Sequence, residues 1–383
     1  SGKTPFARSG DGRATLGPVL REYIISEYMN SINIPTTRSL AAITTGEKVV
    51  RERILPGAIL VRIAKSHVRV GTFQYFAARQ MTREIKILAD YIIERHFKLS
   101  LSSKNIYEKF LMEIIKSQAN LISKWMSAGF IHGVMNTDNT CLTGETIDYG
   151  PCAFLDNFDY NKVFSSIDYQ GRYSYKNQPN IILWNLTRFA ETILPLIDNN
   201  LNKSIKKAEE ILNEFASIYE SNWISIMGYK LGIDEANKTD KNLIEEFLTL
   251  MQNQQLDFTN SFYSLSFLLE KDQIEKEGPP KSHKIYSKIK SSDWYAKWTK
   301  RLNINKKNLK KILKTLLINN PSIIPRNHIV EKVLNDAIYE NKKDSLNDFL
   351  NALNDPYKLR TFDDPYTKPP SPNEEVTQTF CGT

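Results

Sequence analysis

From Thr82 to about Leu353 the chain repeats apolar residues three and four apart, and one long stretch, Ile131 to Asp159, breaks that repeat. The stripes run through Ile85, Ile87, Leu88, Tyr91 and Ile92, then Phe110, Leu111, Ile114, Ile115, Leu121, Ile122 and Trp125. Such spacing gives a helix one apolar face, so the body of the chain must be a helical pack. Connections are expected around 199–207 and 303–311, where Asn and Lys crowd, and an irregular Pro-rich tail from Asp355. Ahead of the helices, Leu16–Ile32 carries helical spacing through Leu16, Val19, Leu20, Tyr23 and Ile24. Three β-rich runs follow it, Ser39–Thr44, Val49–Ile54 and Ala58–Ala64. The expected class is therefore α+β, a helix and small sheet before a large helical part.

With 383 residues the chain can bury one large or two ordinary cores, and no run of about 18 apolar residues marks a bilayer span. The net charge of +8 is spread through stretches such as 305–311, without a concentrated basic arm, so nucleic acid is not the expected partner. Cys141, Cys152 and Cys381 are too few and too scattered for a disulfide framework or zinc site, which makes a reducing compartment the default. The start at Ser1, without Met or signal pattern, reads as a cut end. His67, His96, His283 and His328 lack ligand spacing, and Trp125, Trp184 and Trp223 lie in apolar stripes and read as core.

The non-helical stretch carries the chemistry. His132-Gly133-Val134-Met135-Asn136-Thr137-Asp138-Asn139 is followed, nine residues after Asn139, by Asp148-Tyr149-Gly150. Between them Thr140–Thr143, a turn at Gly144-Glu145 and Thr146–Asp148 read as a hairpin. This is the grammar of a kinase active site, in which a loop Asn and a D-x-G Asp hold the metal. Asn139 and Asp148 are the candidate ligands, since Mg²⁺ wants hard oxygen donors. The position where kinases keep the catalytic Asp holds Val134, so Asp138 is the nearby carboxylate able to take a hydroxyl proton. His132 is expected to fix this loop by hydrogen bonding. The Arg21-Glu22 pair matches the helix whose Glu holds the nucleotide-binding Lys in kinases.

Several stretches resemble the selenoprotein O family. They are Gly2–Arg8, Asp11–Ala14, Ile34–Arg38, His132–Asn139, Ile147–Pro151, Gly171–Tyr175, Trp184–Leu186, Lys230–Gly232, Asn320-Pro321 with Arg326-Asn327, and the tail. The likeness spans essentially the whole chain and implies a kinase-like two-lobed fold, with a partial N-lobe at 1–75, a catalytic core at 76–200 and a helical part at 201–383 bearing the Cys-containing tail. It implies transfer of AMP from ATP to Ser, Thr or Tyr hydroxyls of proteins, with pyrophosphate released, Mg²⁺ or Mn²⁺ as cofactor, and a nucleotide inverted relative to a kinase. The family's glycine-rich loop and Lys, expected just before Ser1, are not in this sequence, which leaves Glu22 without a visible partner and puts the activity of the fragment by itself in question.

The same resemblance assigns Arg62 and Arg69 to the phosphates, and Asp11 and Gly12 to the nucleotide together with Asp148. Cys381 stands where some relatives carry selenocysteine. That suggests a reversible Cys152–Cys381 disulfide tying the tail over the site, while Cys141 reads as a packing residue. Family members occur in bacterial cytoplasm and in mitochondria, not as secreted proteins. The competing readings are an ordinary phosphotransferase, which Val134 opposes, a nucleotide-binding pseudokinase scaffold, which Asp138, Asn139 and Asp148 together oppose, and a uridylyltransferase using UTP and Mn²⁺.

Overall fold

The computed structural model of the chain describes residues 2–5, 10–269, 284–340 and 342–380. It has the α+β composition expected, with one three-stranded sheet and a predominance of helix. A short β1 (Ala14–Thr15) leads into α1 (Leu16–Ser31), followed by β2 (Arg38–Val50) and β3 (Ile54–Ile63). The sheet is antiparallel in the order β1-β3-β2.

Two long strands thus replace the three β-rich runs read from sequence. The ladder pairs Thr44 with Ala58 and then Lys48 with Pro56, so the residues between bulge out of β2 without ending it. Gly46, at φ +75°, takes the bend.

Next come α2 (Val70–Ala77), α3 (Thr82–His96) and α4 (Ile106–Ala128). The eight residues of α2 are too few to show a stripe, and the sequence reading passed over them. In contrast, α4 buries the Phe110, Leu111, Ile114, Ile115, Leu121, Ile122 and Trp125 that its periodicity marked. Each such side chain contributes roughly 1.5–3 kcal/mol relative to exposure. The helix stops at Gly129, whose φ of +67° only glycine adopts readily and where an added Cβ would stand 2.7 Å from the Phe258 ring. Directly after it β4 (Phe130–Ile131) pairs with β5 (Ala153–Phe154), closing the base of the polar segment between them.

Inside that segment the expected hairpin does not form. Its two arms pair with other parts of the chain: Cys141 bridges Arg69 and Thr146 bridges Thr36. The backbone bonds are Val70 N to Thr140 O at 3.0 Å, Leu142 N to Val68 O at 3.1 Å, Thr37 N to Thr146 O at 3.0 Å and Thr146 N to Pro35 O at 2.9 Å. Distant partners satisfied the donors that a local ladder would have used.

The remaining helices are α5 (Gln178–Ile197), α6 (Leu201–Lys230), α7 (Lys241–Gln254), α8 (Phe258–Leu269), α9 (Lys284–Lys290), α10 (Asp293–Leu302), α11 (Leu309–Asn319), α12 (Asn327–Tyr339) and α13 (Lys343–Leu353). The connection expected at 199–207 is mostly the first turns of α6, started by Asn200, whose side chain accepts from Lys203 N at 3.1 Å. Trp125 and Trp223 are buried, but Trp184 is 39% exposed, with the Arg172 guanidinium 4.8 Å from its ring. Among the described residues no helix is long and apolar enough to cross a membrane.

Beyond α13 the chain is irregular yet docked. Arg326, just before α12, is 1% exposed, pairs with Asp156 and with Asp257 at 2.7 Å, and donates to Thr367 O at 3.0 Å. One cation thus ties the segment after β5, the head of α8 and the tail. Burial pushes the Asp156 carboxyl from 3.8 up to about 6, against the pull of Arg326. Replacing Arg326 with Met leaves these carboxylates uncompensated and should lower the unfolding free energy by about 3–5 kcal/mol at neutral pH in urea denaturation. Losing the Arg326 charge raises the Asp156 carboxyl further, so the deficit should shrink as pH falls toward about 6, where the variant's carboxyl is already protonated, and change little below that.

Candidate active site

Two adjacent residues of α1 grip the segment that follows Ile147. Arg21, 6% exposed, donates from Nε to Gly150 O at 3.0 Å and from Nη2 to Cys152 O at 2.6 Å. Glu22 accepts from the Tyr149 amide through Oε1 and pairs through Oε2 with Arg62 Nη2 at 2.9 Å. The sequence left Glu22 without a partner; β3 supplies Arg62. Burial pushes the Glu22 carboxyl above its ordinary value, with the Arg62 guanidinium opposing and the Asp148 carboxylate adding to the rise.

The loop from His132 is fixed from below. His132 is fully buried, donates from Nε2 to Ile147 O at 2.9 Å and accepts from Val134 N at Nδ1, 3.3 Å away. Burial lowers its pKa, which favours the neutral ring this bonding pattern needs. Gln178, the first residue of α5, accepts from His132 N at 3.0 Å and donates to Phe130 O at 2.8 Å. No sequence signal marked it as more than a helix start. Gly133, at φ +82°, lets the chain pass Pro151, whose carbonyl oxygen would lie 2.7 Å from an added Cβ.

Above this base Asn139 and Asp148 meet. Asn139 Nδ2 donates to Asp148 Oδ2 at 2.7 Å and to Val134 O at 3.0 Å. Asp148 sits at φ +68°, a left-handed conformation that Asp tolerates better than most residues, and its Oδ1 accepts from Gly150 N at 3.3 Å. Val134 contributes backbone bonds to both His132 and Asn139. Asp138 precedes Asn139 on a 3-10 turn over Thr137–Asn139, started by Asn136, whose side chain accepts from Asp138 N at 2.9 Å. Asp138 is exposed.

Arg62 and Arg69 are brought to the same neighbourhood. Both act on His67, whose pKa falls mainly through burial and then through these two cations. Both also pull on the Cys141 thiol. The Arg69 Nε is buried without a hydrogen-bond partner, a donor suited to an anion. Asp11 is placed differently. It accepts from Arg51 at 2.9 and 3.0 Å and from Arg13 N at 3.0 Å, beside the turn joining β2 to β3. The Arg51 bonds come first among the causes that hold its carboxyl down at about 2. Gly12, at φ +66°, passes so close to Gly2 that an added Cβ would overlap the Gly2 carbonyl.

A family model described as protein adenylyltransferase SelO matches residues 1–354. The chain belongs to this family. Among its relatives is the protein nucleotidyltransferase YdiU of Clostridium botulinum (strain 657 / Type Ba4), 49% identical over 383 residues, all of this chain and 76% of that protein. Proteins of the same name from Bacillus cereus (strain G9842) and Clostridium perfringens (Type A) are 47% and 48% identical, with the same coverage. The SelO match spans the site residues from Asp11 to Gln178, and Cys381 lies beyond its end.

Cys381, one partner of the disulfide expected from the SelO resemblance, lies outside the described residues. Cys152 is fully buried, and its thiol donates to Tyr149 O at 3.2 Å. Burial pushes the Cys141 and Cys152 thiols up to about 12. The tail does reach this place: Thr379 bridges Ser165 and donates from Oγ1 to Pro151 O at 2.5 Å. Iodoacetamide at pH 8 should leave both thiols unmodified in the reduced, native protein and label them only on unfolding, as read by peptide mass mapping.

Proposed function

We propose that this chain transfers AMP from ATP to Ser, Thr or Tyr hydroxyls of protein substrates. The carrying observation is the direct contact of Asn139 with Asp148, with Asp138 one residue away and exposed. The fold reading that accompanies it is kinase-like, with 1–75 as a partial N-lobe, 76–200 as the catalytic core and 201–383 as a helical extension.

In this reading Asp138 takes the proton of the acceptor hydroxyl as its oxygen attacks the α-phosphorus. The new P–O ester forms, the α–β anhydride breaks, and pyrophosphate leaves with the electron pair. Arg62 and Arg69 face the β- and γ-phosphates, where a charge-assisted hydrogen bond contributes about 1.5–3 kcal/mol. Asp11 and Gly12 flank the nucleotide. Asn139 and Asp148 are in direct contact, Nδ2 on Oδ2 at 2.7 Å, and their amide and carboxylate oxygens are the hard donors that a divalent ion would take, with phosphate oxygens completing such a shell. Among the described residues no three His, Cys, Asp or Glu side chains form a metal cage of their own. Mg²⁺ or Mn²⁺ held there would supply positive charge to the phosphates.

ATP labelled at the α-phosphorus should leave its label on protein, and ATP labelled at the γ-phosphorus should not; the reverse pattern would refute AMP transfer. Replacing Asp138 with Asn should slow transfer by about 10²–10⁴-fold with ATP binding retained.

A redox gate between Cys152 and Cys381 belongs to the same proposal, supported by Thr379 lying on Pro151. The buried Cys152 thiol means that the 148–152 segment must open before the disulfide forms. Under oxidant, peptide mapping should recover a Cys152–Cys381 linked peptide; its absence removes the gate.

A further inference from the structure

The geometry points to Gly71 as the positioning residue for Asp138, a role that rests on Asp138 being the base. Gly71 is the second residue of α2, and a Cβ added there would stand 2.1 Å from Asp138 Oδ1 and 3.2 Å from its Cγ. The carboxylate therefore occupies the volume that any other residue at 71 would fill. The next nearest atom, Thr137 O, is 3.4 Å away, an ordinary contact.

Alanine at 71 would thus meet a single obstacle, the rotatable end of Asp138. Gly71 has no left-handed φ, so a helical alanine suits its backbone. The side chain would yield and the fold would stay.

The site also explains why the carboxylate rests there. The first turn of α2 carries no acidic residue of its own, and a helix N-terminus favours a negative charge beside it. Asp138 supplies that charge from the neighbouring turn. The same helix begins at Arg69, its N-cap, so one element sets the base and carries a phosphate cation. Gly71 offers the open backbone that lets the carboxylate dock at a defined place.

The test compares wild type, Gly71→Ala, Asp138→Asn and the double variant in the full chain, by turnover, KM for ATP, ATP binding by calorimetry and thermal midpoint. Gly71→Ala should cut kcat by about 10²-fold, the scale expected for a displacement of about 1 Å. KM for ATP, ATP affinity and fold should be unchanged, with the thermal midpoint equal or higher because alanine favours helix. The double variant should be no slower than Asp138→Asn alone, since the displaced group is already lost. Wild-type kcat in Gly71→Ala, with Asp138→Asn inactive, overturns this inference and leaves the base reading standing. A loss of ATP affinity or thermal stability that matches the loss of kcat, or a double variant slower than Asp138→Asn, also overturns it. Wild-type turnover in Asp138→Asn removes the base reading and this inference with it.

Discussion

The site depends on the grip of Arg21 and Glu22 on the backbone of residues 149–152. Neighbours on a helix point about 100° apart, so one turn of α1 can offer a cation to two carbonyls and a carboxylate to an amide without the two side chains competing. Arg21 has almost no access to water, and its charge is met by Gly150 O, Cys152 O, Asn327 and, at 3.4 Å, the Glu331 carboxylate. That makes the arrangement all or nothing: a buried guanidinium stripped of those carbonyls would cost several kcal/mol, which holds the segment in one place. Asp148 sits at the edge of this held segment, and its left-handed backbone is sustained by the bonds that hold the residues after it.

The electrostatics follow from the same anchoring. Glu22 stands between Arg62 and Asp148, and its raised pKa records that one guanidinium does not fully offset burial and a neighbouring acid. Asp138 and Asp148 bring negative charge to this region, and Arg62, on β3, and Arg69, at the start of α2, bring positive charge. Under the proposed function a bound polyphosphate would carry more negative charge than Arg62 and Arg69 offset, and a divalent ion at Asp148 would make up the difference. Arg62 is partly engaged by Glu22, while Arg69 keeps an unpaired buried Nε, so the two arginines are unequal before any ligand arrives.

The local parts of this structure were legible in the residues. The stripe of α4 is a periodic signal within one helix, and in the run from His132 to Asp148 residue type alone singled out Asn139 and Asp148, which the fold brings into contact. Pairings between distant segments were not legible. Nothing near Cys141 or Thr146 in sequence says that Arg69 and Thr36 will take their backbone bonds, so a hairpin was the natural local reading. Glu22 seemed unpartnered for the same reason, since Arg62 is forty residues away and only the fold of β3 onto α1 joins them. The eight-residue α2 was lost because two turns cannot establish a period. SelO-family resemblance supplied roles for Arg62 and Arg69 that composition could not.

Those distant pairings also explain why the failed hairpin matters to function. Residues 140–142 are tied to 68–70, and residue 146 to 35–37, so the ends of the catalytic loop are fastened to the two segments flanking the β2–β3 pair. A hairpin closing on itself would have left Asp138 and Asn139 on a free excursion. The observed ties instead lock them to the start of α2, where Arg69 stands. Asp138, Asn139 and Arg69, the proposed base, metal ligand and phosphate cation, are therefore placed by the same ties, and a change that loosens either tie should move them together.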